Sequence, residues 1–417
     1  MTHSDAVSFA TTRFAPQQES GRDDIYDYYA RFREAGRVAR GEPAWDGGEE
    51  DLVLLRFEDV SQWLRDSRLG REWHRLMPPG TKPPLFEPDS FGEVANNFML
   101  FRDPPDHTRL RSTSNMAFTP RHVNRMREPI EALATRLVED MKRSDEPVDL
   151  IANYAYPLPV LVIAGILGVP EEDHPRFRDW AAVVAAAIDL PASELDAFQR
   201  RANQTTQELV DYFRWIIGQR RQEPQDDLIS SLIAAESAEG KINEKELIST
   251  LILLLVAGHE TTVNLIGNGT LALLRHPDQW QLLVDDPSLA KNATEELLRY
   301  DSPVQMTTRL AFEDLEIAGV PVCRGNRIMF VMGSANRDPR AFDEPDRLDI
   351  RREVGRIMSF GMGIHFCLGA PLARLEGEIA FRTLAQHAPG LRLEMDRPEW
   401  RGGLVLRGLQ ELPVMLS

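Results

Sequence analysis

Only two cysteines, Cys323 and Cys367, occur in 417 residues. Two thiols cannot staple a chain of this length, so a disulfide framework is excluded and a reducing compartment is expected. Positive charge is also short: 48 lysines and arginines stand against 65 aspartates and glutamates, a net charge of −17. A sequence-independent grip on nucleic acid needs a basic surface, so no nucleic-acid partner is expected. Long hydrophobic runs are missing as well. The most apolar stretches, YPLPVLVIAGILGVP and LILLLVAG, fall short of the roughly 18 residues that a membrane span needs. The opening MTHSDAVSFATTRF lacks a basic start followed by an apolar core, so no signal peptide is read there. A cytoplasmic, soluble protein without a membrane span is the expectation. Repeats, low-complexity segments and Pro/Gly/Ser-rich linkers are all lacking, so the chain is read as one domain, 1–417, with residues 1–20 as an extended arm.

What is present is ordinary globular composition, 42% hydrophobic and 27% charged. Helical periodicity runs through Arg109–Lys142, Asp173–Ala187, Ala197–Gln222, Glu244–Leu274, Ala290–Arg299 and Gly369–His387. Strand signals are short and clustered at Leu52–Arg56, Leu315–Val322, Arg327–Val331 and near Leu404–Val414. Helices with small accompanying sheets make an α-rich α+β fold.

SFGMGIHFCLG, Ser359–Gly369, places Cys367 among three glycines and ahead of an amphipathic helix with Pro371 in its first turn. Gly361 and Gly363 let the backbone turn tightly against a bulky ligand. A sulfur at a helix N-terminus meets unpaired N–H groups and the positive end of the dipole, which favours thiolate. A thiolate there is a nucleophile or a metal ligand. A packed core cysteine is the plainer alternative for this stretch alone.

Phe360, Gly361, Gly363, His365, Cys367 and Gly369 together resemble the haem-binding signature of the cytochrome P450 superfamily, in its soluble bacterial form. The resemblance implies a mainly helical fold with small sheets, in which haem b lies between a long central helix and the cysteine loop. Cys367 would be the axial metal ligand, with His365 at the place usually held by arginine. LILLLVAGHETTVNLIG resembles the family's oxygen-activating helix. By that likeness Ala257 and Gly258 leave room beside the haem, Thr261 faces the bound oxygen and Glu260 relays protons. His259 is read as a filler of a variable position. TEELLRYDSP resembles the Glu-x-x-Arg helix, so Glu296 and Arg299 are expected to join Arg347 in a buried structural network. His107 and Arg111 in DPPDHTRLR, after a helix start at Asp103 and Pro104, are expected to contact the propionates together with Arg309 and His365. Cys323 is read as structural.

A substrate pocket is implied at Phe91, Val94, Asn97, Phe98, Leu253, Val304, Gln305, Met306 and Leu404, with the Pro-rich Leu76–Val94 stretch as its mouth. The lining is mostly apolar, which suits a lipophilic small molecule: a polyketide or macrolide, terpenoid, steroid or fatty acid. The implied activity is O2-dependent hydroxylation or epoxidation by a monomer. Only 50 residues follow Cys367, with no flavin segment or iron–sulfur cysteine set, so a separate ferredoxin and its reductase are the expected electron donors. Arg109, Arg121 and Arg374 are candidates for a basic docking patch, or else solvated surface charge. A peroxide-driven peroxygenase, a haem-thiolate ligand sensor and a cysteine hydrolase remain as alternatives.

Overall fold

An apolar run bounded by a strong start signal builds the longest helix, Glu244–Arg275. Asn243 accepts the Glu246 N–H and Glu246 returns a carboxylate oxygen to the Asn243 N–H, each at 3.0 Å. This reciprocal cap satisfies two of the unpaired donors that every helix start carries. The computed structural model describes residues 13–16, 23–42, 50–76, 89–189, 192–239, 242–401, 403 and 405–416. Within it this helix is central, packed by Pro157–Leu167, His174–Asp189, Ala290–Tyr300 and Ala370–His387. It is long and apolar enough to cross a membrane, but 83% of its most apolar window is buried inside the fold. A helix apolar all round is explained by that surround.

Pro157–Leu167, the other apolar stretch, is also a helix. Its first-turn proline needs no N–H partner, and Gly168 closes it at φ 74°. The helix expected over Arg109–Lys142 is three, Asp106–Ser114, Pro120–Arg125 and Arg127–Met141. Thr119 caps a new start by accepting the His122 N–H at 3.4 Å, and Pro120 lacks the N–H that a continuing helix would need. Asp103 is no cap either: its carboxylate accepts the N–H groups of Arg71 and Glu72 at 2.8 and 2.7 Å.

The largest sheet has five strands in the order Ala39–Arg40, Leu52–Leu54, Arg327–Val331, Met306–Ala311, Leu69–Gly70. Leu52–Leu54 runs parallel to Arg327–Val331 and the other pairs are antiparallel. Leu315–Val322 divides into a hairpin of two three-residue strands. Of the stretch expected near Leu404–Val414, the described residues form a strand at Pro413–Met415, paired with Arg392–Leu393, and isolated bridges join Trp400 to Leu409 and Val304 to Leu406. The arm over 1–20 falls mostly outside the described residues.

Glu296 and Arg299 form a fully buried pair at 2.7 Å. Arg299 also donates to the carbonyls of Asn336 and Pro345. Arg347 does not supply the third side chain. Its guanidinium turns outward to Glu344, and only its carbonyl faces the pair. Arg352 takes the place, donating from Nε to Glu296 Oε1 at 3.1 Å. The turn after Arg347 points that side chain to water, whereas Arg352 folds back over Asp343 and Glu344 carbonyls.

Another buried acid stands almost alone. Glu376, on Ala370–His387, accepts from Thr262 Oγ1 at 3.4 Å, and burial pushes its carboxyl up to about 8. The folded state therefore holds a proton that the unfolded chain releases near its ordinary carboxylate range. Stability from this group is present at acid pH and is lost as pH rises through about 8. Glu376→Gln should melt above the wild type at pH 9, by on the order of a few kcal/mol, and the gap should close toward pH 5. Thermal melts across that range check this; equal gaps at both ends would refute it.

Candidate active site

Between Leu247 and Leu273 every residue of the central helix is buried except Ala257, Gly258 and Thr261. Ala257 and Thr261 are four apart and share the open face. The Thr261 hydroxyl donates to the Ala257 carbonyl at 3.1 Å, which orients it along that face. The Thr262–Glu376 hydrogen bond ties the next residue to the helix that follows Cys367.

The loop before that helix is held by its backbone. Gly361 and Gly363 have φ of 66° and 72°, the left-handed region that side chains disfavour. A Cβ on Gly363 would also sit 2.7 Å from the Leu64 carbonyl oxygen. Cys367 N–H donates to the Phe360 carbonyl at 2.9 Å, and its sulfur accepts from the Gly369 and Ala370 N–H groups. Those two donors and the charge of Arg111 favour thiolate, as the spacing implies. Burial outweighs them, so the thiol lies above its ordinary range. A metal bound to the sulfur would supply the charge that favours the thiolate here. Phe360 packs under the Arg374 guanidinium, 4.4 Å from its ring centre.

Next to the loop lies a cluster of cationic side chains. The His107 and His365 rings are 4.4 Å apart, and His365 Nε2 is 3.8 Å from Asp103 Oδ1 with no hydrogen-bond partner. Burial, partly offset by Asp103, pushes His365 down to about 3. Burial also lowers His107 and Arg111, and brings Arg309 to about 9 and Arg71 to about 10. Arg71 carries no chemical motif and is a member of the cluster that the sequence reading missed; only the pairing of Leu69–Gly70 with the Arg309 strand brings it there. Three guanidiniums, Arg71, Arg111 and Arg309, against the Asp103 carboxylate leave an excess of two positive charges. Burying such an excess is costly without anionic partners. The two carboxylates of one haem b match it in number. The residues present therefore fit the group: a half-buried cysteine on a permissive loop, an open helix face, and a cation cluster short of two anions.

The expected pocket wall is only partly assembled. Phe91, Val94, Phe98 and Leu253 all join the buried core around the central helix. Asn97 donates to the Glu93 carbonyl at 2.8 Å. Gln305 and Met306 turn away from it. Gln305 donates to Tyr26 Oη and the Ser302 carbonyl, and Met306 packs with Phe14, Ile25 and Tyr29 beneath the sheet. Val304 is bridged to Leu406, while Leu404 and most of the Leu76–Val94 mouth lie outside the described residues. The basic patch is not free charge: Arg109 is held by Glu246 at 2.6 Å and Arg374 by Glu295 at 2.5 Å. The Arg121 side chain falls outside the described residues.

The model of the family described as Cytochrome P450 matches residues 87–286 and 283–388. This chain belongs to the cytochrome P450 family. It is 41% identical over 415 residues to the polyketide biosynthesis cytochrome P450 PksS of Bacillus subtilis, covering 97% of this chain and 98% of that one. The solved structure of PksS superposes with a TM-score of 0.87 at 40% identity, over 97% of this chain and 100% of that one. The 6-deoxyerythronolide B hydroxylase of Saccharopolyspora erythraea is 37% identical over 408 residues, 96% of this chain and 98% of its own. A myxobacterial cytochrome P450 solved in complex with myristic acid has a TM-score of 0.85 at 40% identity, covering 94% and 96%. The P450 is thus a haem-thiolate monooxygenase with haem b as its cofactor, and the α-rich fold is the family's own.

Gly363→Ala forces both a disfavoured φ and a clash with backbone that has no side chain to move aside. Haem content per purified protein, from the absorbance ratio of haem to protein, should fall about tenfold or more; normal loading would contradict this account of the loop.

Proposed function

We propose that this P450 hydroxylates a bulky lipophilic small molecule of polyketide, macrolide or fatty-acid type, with Cys367 as the residue that would hold the haem iron and Thr261 and Glu260 serving proton delivery. The observation that carries the reading is the single open face of an otherwise buried helix, at Ala257, Gly258 and Thr261, fastened to the helix that follows Cys367. The apolar wall of Phe91, Val94, Phe98 and Leu253 supports the substrate class. So do the relatives, among them a polyketide biosynthesis cytochrome P450 and 6-deoxyerythronolide B hydroxylase.

Each side chain has a distinct task in this reading. Gly361 and Gly363 set the loop on which Cys367 would hold the iron, and the Gly369 and Ala370 amides steady the sulfur. Arg71, His107, Arg111, Arg309 and His365 would hold the propionates. Ala257 keeps the open helix face free of bulk, and Thr261 presents a hydroxyl at 3.1 Å from a carbonyl that fixes its direction. Haem b, when bound, supplies the oxygen activation. A ferredoxin with its reductase supplies electrons in this proposal, since the chain carries no flavin or iron–sulfur motif. With Arg109 and Arg374 already paired, its docking rests on shape and on other charges. The chain is read as a single cytoplasmic domain working as a monomer, which fits its apolar central helix being covered by its own fold.

Cys367→Ala should abolish the thiolate-type absorption band that reduced protein gives with carbon monoxide. If the band survives the substitution, or is missing from wild type, the ligand assignment is wrong. Thr261→Ala should lower product per NADH by about tenfold or more and release the difference as peroxide. Supporting turnover with hydrogen peroxide as fast as with ferredoxin would instead favour a peroxygenase.

A further inference from the structure

Glu260 is hydrogen-bonded at one oxygen and approached by an imidazole at the other. Arg401 Nη1 donates to Oε2 at 3.0 Å, and His259 Nε2 lies 3.4 Å from Oε1. Burial would raise this carboxyl, but His259 and Arg401 more than offset it and keep it below the usual carboxylate range. His259 is fully buried, its ring edge-on to Tyr156 at 5.4 Å. Its Nδ1 faces the Leu255 carbonyl at 3.2 Å. A carbonyl only accepts, so Nδ1 carries the hydrogen. Nε2 is buried and makes no hydrogen bond among the described residues, and Glu260 Oε1 at 3.4 Å is the acceptor paired with it.

These constraints leave two arrangements. With no proton between them, the Nε2 lone pair would face a carboxylate oxygen in a buried setting, which is repulsive. A proton on Nε2 gives an imidazolium beside a carboxylate. A proton on Oε1 gives a carboxylic acid donating to a neutral imidazole. Each of these two arrangements places one exchangeable proton between Nε2 and Oε1.

We propose that His259 and Glu260 share one proton and form the store from which the Thr261 face is supplied. This rests on the reading of Glu260 and Thr261 above and gives His259 a task beyond filling a helix position. His259 acts through Glu260 and is a positioning residue. In the transfer, the Nε2–H bond breaks as an Oε1–H bond forms, and the electron pair stays on nitrogen. Glu260 passes a proton toward Thr261, and solvent replaces it. Replacement comes on the side of Arg401, whose side chain is 37% exposed while that of Glu260 is 8% exposed. By holding Oε2, Arg401 turns Oε1 toward His259. The groups facing the pair are Arg401 from the C-terminal segment, Tyr156 from the start of the Pro157–Leu167 helix, and the Leu255 carbonyl of its own helix.

The test uses the haem-loaded full chain with His259→Asn, His259→Gln, Glu260→Gln and each double variant. NADH drives turnover through a ferredoxin and its reductase, with myristic acid as the probe lipid. Peroxide released per NADH is measured in H2O and in D2O, and the carbon monoxide spectrum and melting temperature report integrity. Both His259 variants are expected to raise the peroxide share about threefold or more, enlarge the solvent isotope effect, and add nothing to Glu260→Gln. A wild-type peroxide share and isotope effect in folded His259 variants, with Glu260→Gln still altering both, overturns the shared proton alone. Additive effects overturn it as well. A silent Glu260→Gln overturns the relay reading on which it rests. Two His259 variants are used so that a packing defect in one does not decide the result.

Discussion

The site depends on how closely two helices meet. The central helix and the helix after Cys367 approach where side chains are small or absent. A Cβ on Gly269 would lie 2.5 Å from the Phe381 ring, and one on Gly377 would lie 3.0 Å from Leu265. Tight approach brings the cysteine loop and the open face of Ala257 and Thr261 into one region. It also buries Glu376 against Thr262 without a charged partner. A carboxyl in that position stays neutral more cheaply than it ionises, since desolvation disfavours the charge and one hydroxyl cannot restore it. The close approach that joins the two helices is thus what strands this acid.

Charge in the fold is arranged on the opposite principle at its two ends. Behind the cysteine loop, Glu296, Arg299 and Arg352 satisfy one another and nearby carbonyls, so their burial needs nothing from outside. Beside the loop, Arg71, Arg111 and Arg309 outnumber Asp103, and the nearby histidines are kept from charging by burial. The first cluster is complete within the chain and serves folding. The second is complete only with anions, so folding around it and binding the cofactor are coupled. That difference separates a structural network from a binding site even where both contain buried arginines.

Much of this was readable from residue order. The central helix, the cysteine helix and the Glu296–Arg299 pair carry local signals: an apolar run behind a cap, a first-turn proline, and a spacing of three. What was not readable depends on contacts between distant segments. Arg71 reaches the cation cluster only because Leu69–Gly70 pairs with the strand carrying Arg309. Arg352 replaces Arg347 because a turn, not a motif, decides which guanidinium folds inward. Met306 points to the far side of a strand whose register is set by Arg327–Val331, and Gln305, just before that strand, is drawn to Tyr26 and Ser302. The break of Arg109–Lys142 into three helices was visible in Thr119 and Pro120, where a cap and a restart adjoin.

Proton supply shows why position on a helix says less than the partners of each atom. His259 and Glu260 are adjacent, and adjacent side chains on a helix diverge. They converge here because Leu255 fixes one face of the imidazole while Arg401, 141 residues along the chain from Glu260, pulls the carboxylate into line. A lone Glu260 held by arginine would be a poor proton donor, ionised and saturated with hydrogen bonds. A neighbouring imidazole with one nitrogen already committed changes that, because the proton can rest beside the carboxylate without neutralising the Arg401 pair. Arg401 is itself carried by a segment whose N–H bonds the Gly408 carbonyl and whose neighbour Val405 accepts from Gln305. The orientation of this carboxylate is therefore set from a C-terminal stretch that is itself fastened to Gln305 and closed on itself at Gly408.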